Sequence, residues 1–199
     1  VAGVAASWIR SVRQRYKPLV EETRMTRILS AAILALAGLT GTGAAWAGDD
    51  FLKFDGAIGV DPVGGFTSIT IGTTTFDAIT RNTVLGVPPG GRPWVLRKFK
   101  ARIGADGQVV ARGSGLLFGG GDLIGTRGGV TQVALTLFCS GIAHHTAPVP
   151  LDTNGNFTVK DTLLSPPPNP CNSPVLLVRN ANNGVLGGWF AAGVLDTED

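Results

Sequence analysis

The chain is short of the residues that most chemistry needs. Among 199 residues there are two cysteines, two histidines, one methionine and one tyrosine, and only 16% are charged. No GxGxxG run opens a helix and no Gly-Lys-Ser/Thr occurs, so the phosphate cradles of nucleotide-binding proteins are not encoded. The glycine-dense stretch 113–129, GSGLLFGGGDLIGTRGG, has neither that spacing nor a following helix. It is also too rich in Leu, Phe and Ile for a disordered linker, and it reads as an ordered loop. No fixed-spacing repeat is found. Outside residues 28–47 no segment carries a sustained helical apolar period with caps, and none is long enough to span a membrane.

What is present begins with an export signal. Residues 25–47, MTRILSAAILALAGLTGTGAAWA, join a short basic start to an apolar run and the small residues Ala45 and Ala47. That arrangement predicts a secretory signal peptide cut after Ala47. The alternative, a retained anchor, is opposed by Thr40, Gly41, Thr42 and Gly43, which dilute the apolar run. Gly48 follows the cut, so no cysteine is placed there for acylation, and no membrane association is expected after cleavage. Residues 1–24 precede the signal and read as an upstream extension with translation starting at Met25, since a signal works best at a terminus.

Setting the export segment aside changes the charge. Residues 1–47 carry six cations and two acids, a net +4, which leaves 48–199 at −1 out of a total of +3. The basic character therefore belongs to the leader, and no nucleic-acid partner is expected. Residues 48–199 are long enough for one domain with a proper core. Both cysteines lie there, and in an oxidising compartment Cys139 and Cys171 are expected to pair.

Stretch 130–139, VTQVALTLFC, is the most strand-like run. Val133, Leu135, Leu137 and Cys139 share one face; Gln132, Ala134, Thr136 and Phe138 form a mixed one. Such a strand is expected in the middle of a sheet. Residues 51–60 read as a first strand, and the Thr- and Ile-rich 66–79 favours strands too. Three hairpins are expected, turning at 105–107, 154–155 and 182–184. At the first, a three-residue loop sets Ile103 opposite Val109 and Ala101 opposite Ala111, segregating apolar from basic residues. Trp94 and Leu96 then have the wrong parity for Phe99, which predicts a bulge near Arg97 and Lys98. The second hairpin pairs 147–152 with 156–164. The proline run 165–170 delivers Cys171 as an extended connection. Together these features predict an all-β fold: an antiparallel β-sandwich, Ig-like or jelly-roll-like, or alternatively a small β-barrel, with one intrachain disulfide.

Candidate chemistry is sparse. Ser114 and Ser140 lack the surroundings of a nucleophile. His144 and His145 are neighbours, so on a strand they face opposite ways, and a zinc site there would need Asp to complete it. An exported hydrolase or metal-dependent enzyme using His144 or His145 with Asp122 or Asp152 is the alternative function. The run Asp152 to Asn156 resembles the start of a calcium loop but has Phe157 and Leu163 where glycine and a bidentate carboxylate belong. The remaining feature is the basic stripe Lys98, Lys100, Arg102 and Arg112, an anion-binding surface for an anionic surface or polymer if it is uncompensated; partial pairing to acids, and with it a structural role, is expected. The sequence thus points to a secreted or periplasmic, non-catalytic protein with a surface binding or structural role, with no cofactor and an unknown ligand.

Overall fold

The computed structural model describes residues 50–197. The signal peptide at 25–47 and the extension at 1–24 lie outside them. Eleven strands and no helix are found among the described residues. They are β1 (Asp50–Gly59), β2 (Val63–Ile71), β3 (Thr74–Arg81), β4 (Trp94–Gly104), β5 (Gln108–Phe118), β6 (Gln132–Cys139), β7 (Ile142–His145), β8 (Val149–Pro150), β9 (Phe157–Thr162), β10 (Val175–Asn182) and β11 (Val185–Leu195).

Nine strands share one antiparallel sheet in the order β7-β6-β10-β11-β1-β4-β5-β9, with β8 also on β6; β2 and β3 pair only with each other. The sheet curls until its ends meet. The Leu164 amide donates to the His145 carbonyl at 2.8 Å, and the Ala147 amide donates to Asp161 Oδ2 at 2.7 Å. Strand β6 is interior, as its composition predicts: it pairs with β10 on one side and with β7 and β8 on the other. Val133, Leu135, Leu137 and Cys139 are buried on one face and Ala134, Thr136 and Phe138 on the other.

The disulfide forms as expected: Cys139 and Cys171 are bonded, with Cα atoms 4.9 Å apart. It ties the end of β6 to the proline-rich connection that leads into β10. The β10–β11 hairpin turns through Asn183 and Gly184, with Asn182 opposite Val185.

Three local expectations are corrected. No bulge occurs near Arg97: Leu96 pairs with Leu116 and Lys98 with Ser114, without a change of register. Instead Gly115, at φ 74°, kinks β5 opposite Arg97. Both strands switch buried parity together there, so Trp94 and Leu96 are buried before the kink and Phe99, Ala101 and Ile103 after it. The second hairpin opens beyond its turn: the Asp152 amide donates to the Asn156 carbonyl, but β8 pairs with β6 while β9 pairs with β5. Finally, the glycine-dense stretch is only partly loop, because residues 113–118 continue β5. The rest is fixed by its own hydrogen bonds, including Phe118 to Thr126 and Gly125 to Phe118.

Candidate anion-binding face

The face is built by the β4–β5 hairpin. Gly107, at φ 83°, donates its amide to the Gly104 carbonyl and closes a three-residue loop. Ile103 then stands opposite Val109 and Ala101 opposite Ala111, the register that segregates apolar from basic residues. Phe99, Ala101, Ile103, Val109 and Ala111 are buried. Lys98, Lys100, Arg102 and Arg112 all emerge on the exposed side.

Neighbouring strands extend that side. Lys53 of β1 sits opposite Arg102, which sits opposite Val110, which in turn faces Lys160 of β9. The next rung runs from Asp55 through Lys100 and Arg112 to Thr158. Lys98 and Ser114 make a third. Rungs on one face lie about 7 Å apart and neighbouring strands about 4.8 Å apart. Six cations, namely Lys53, Lys98, Lys100, Arg102, Arg112 and Lys160, therefore occupy a single sheet face.

Two acids partly offset them. Lys100 Nζ is 2.7 Å from Asp55 Oδ2, and Arg102 Nη1 is 3.4 Å from Asp50 Oδ2. Both pairs are largely solvated, so each adds little stability. Lys53, Lys98, Arg112 and Lys160 have no ion-pair partner among the described residues. Sequence reading found four of the six cations. Lys53 and Lys160 were missed because only the sheet order places β1 beside β4 and β9 beside β5.

Beside this face lies an open cleft of about 580 Å³, lined by residues that include Val95, Arg97, Ser114, Leu117, Asn154 and Asn156. Ser114 Oγ donates to Asn156 Oδ1 at 2.8 Å, so this serine is engaged with an amide and not with a base. Asp152 is also accounted for. Its Oδ1 accepts the Asn154 and Asn156 amides, each at 2.8 Å, and Oδ2 accepts Asn156 Nδ2 at 2.9 Å. These bonds, led by those from Asn156, hold the carboxyl below its ordinary pKa. The turn uses the oxygens that a calcium loop would present.

The two histidines diverge, as β-strand geometry requires. His144 is buried, its Nδ1 lying 3.0 Å from both the carbonyl and the hydroxyl of Ser165. Nδ1 can donate to the carbonyl or accept from the hydroxyl, according to the tautomer, and Nε2 has no hydrogen-bond partner among the described residues. His145 Nδ1 lies 3.0 Å from Thr136 Oγ1 on the opposite face. Neither ring is hydrogen-bonded to Asp122 or Asp152. Among the described residues no three His, Cys, Asp or Glu side chains are grouped to hold a metal.

His145 gives a pH prediction. Burial, then Arg179, then His144 lower its pKa from the ordinary 6.5. The folded state therefore binds fewer protons than the unfolded one below pH 6.5. Stability should fall as pH drops from that value toward the lowered one. Urea midpoints at pH 7.5 and 5.5 should show the drop, and His145→Gln should flatten it; an unchanged slope in that variant would assign the effect elsewhere.

Compared with family models, curated proteins and solved structures, the chain matches none of them.

Proposed function

We propose that this chain is a secreted or periplasmic, non-catalytic binding protein that engages an anionic polymer or surface through the outer face of β1, β4, β5 and β9. In this reading the curled sheet serves as a sandwich- or barrel-like scaffold, clamped by a disulfide of the kind that persists in oxidising compartments. No helix of the described residues is long and apolar enough to cross a membrane.

One observation carries the reading: six cations on one face against two acids, with four of the cations unpaired among the described residues. Like charges brought together across strands repel one another, and Lys100 directly opposite Arg112 costs stability that an anionic ligand would recover. A linear polyanion laid across the rungs releases its counterions, giving affinity without a deep pocket. The face carries no aromatic side chain on which a nucleobase would stack, which favours an acidic polysaccharide over single-stranded nucleic acid.

Retention on immobilised heparin tests this. The protein should bind at low salt and not on uncharged resin, and Lys100→Ala with Arg112→Ala should cut affinity by about tenfold or more. Flow-through of the unmodified protein at low salt would refute the reading.

A further inference from the structure

Strands β2 and β3 form an arm of their own, and its composition is that of a buried element. Ile71 pairs with Thr74 around the Gly72–Thr73 turn, Ile69 with Phe76, and Phe66 with Ile79. Alternation puts Ile69, Ile71, Phe76 and Ala78 on one face. Phe66 and Ile79 lie on the other, with Ser68 and Asp77 next to them. None of the large apolar side chains is covered: Phe66 is 76% exposed, Ile71 69%, Ile79 63%, Phe76 52% and Ile69 47%. In the main sheet Phe54 and Phe99 are each 2% exposed. From Val63 to Thr80 the only charge is Asp77.

We propose that this arm is a self-association element, covered by a second copy of the chain in a two-fold dimer. The areas fit when both faces of the arm are covered. Taking about 200 Å² for a fully exposed large side chain, Val63 and the five residues above present roughly 700 Å² of surface, divided between the two faces of the ribbon. Arms stacked only on each other through the Ile69, Ile71 and Phe76 face would bury roughly 700 Å² in total, less than the roughly 1,000 Å² of a specific interface. Arms that also lay the Phe66 and Ile79 face on the partner's body would bury roughly 1,800 Å², within the standard range. A two-fold contact brings the same patch to itself, so an uncharged apolar surface needs no separate complement.

Two further features favour a protein partner, and this chain in particular. A two-stranded ribbon is marginal in water, and additional strands or a packed face stabilise it. From Phe66 to Ile71, past the register shift at Val63–Gly65, the edge of β2 carries no charge and no proline to guard against edge pairing. A lipid surface fits less well. The unpaired edge amides and carbonyls would be unsatisfied in hydrocarbon, and the arm has no Trp, Lys or Arg before Arg81 to sit at the headgroups.

Sedimentation equilibrium on the chain as purified from a secreting host tests the proposal. The protein should dimerise, and Ile71→Asp with Phe76→Asp should weaken the dimer by about 100-fold. At protein concentrations below the dimer dissociation constant the thermal midpoint should not change, because the arm lends no strand to the main sheet. Phe66→Ser with Ile79→Ser, on the other face, should weaken it as well. A protein that stays monomeric to about 100 µM, an association equally strong in both variants, or monomers that sediment with phosphatidylcholine vesicles through the arm would each overturn it.

Discussion

Replacing Cys139 and Cys171 together with alanine should lower the thermal midpoint by about 10 °C. The bridged residues are 32 apart in sequence. Closing a loop of that length removes roughly 3–4 kcal/mol of unfolded-state entropy in the chain-entropy model. For a domain near 150 residues, each kcal/mol moves the midpoint by about 2–4 °C. The bond also has local work. It fixes the end of β6, whose other end pairs with the two-residue β8 on one side, and it delivers the connection into β10, which pairs along the other side of β6 from Val175 to Asn180. Calorimetry with and without reductant should reproduce the same loss in the unmodified protein. A shift under 2 °C in both experiments would mean that the unfolded chain is not appreciably restrained by the bridge.

The next largest effect is expected at Gly113. This residue pairs with Phe99 on one side and with Phe157 on the other. A Cβ there would overlap Cε1 and Cζ of the Phe157 ring. Phe157 is 4% exposed, so its ring has no free volume to retreat into. Its centroid is 6.3 Å from that of Phe99, so displacing it disturbs both. Gly113→Ala should therefore destabilise by about 1–3 kcal/mol, as overpacking does. Pairing it with Phe157→Leu should cost less than the sum of the two single changes, because the smaller side chain makes room. Additive losses in a urea-denaturation cycle would show that the contact is not what makes glycine necessary.

Much of the fold was legible because it rests on local rules. The Ala105–Asp106–Gly107 loop and the alternation around it determine the β4–β5 register, and that register decides which side Lys100 and Arg112 take. The disulfide was legible because only one pairing exists. What could not be read was long-range. Nothing local to Lys53 or Lys160 says that β1 lies against β4 or β9 against β5, so a third of the basic face was invisible. The burial of Ala134, Thr136 and Phe138 on the mixed face of β6 was likewise not legible, because the alternation marks only the face of Val133, Leu135 and Leu137 as core. The kink at Gly115 imitates a bulge in the parity of Trp94, Leu96 and Phe99, since a parity switch looks the same whether one strand gains a residue or both bend together. The arm misled differently: its Ile and Phe residues signal strands correctly, and composition alone assigns them to a core they do not join.

The salt dependence of polyanion binding tests the central claim most directly. With four cations on the face unpaired among the described residues, log affinity for heparin plotted against log salt should fall with a slope of about −3 to −4. Lys98→Ala with Arg112→Ala should make it shallower by about 2. Arg81→Ala with Arg127→Ala, away from the face, should leave it unchanged. A slope near zero in the unmodified protein, or one that both double variants reduce equally, would contradict the claim that the outer face of β1, β4, β5 and β9 is the binding surface.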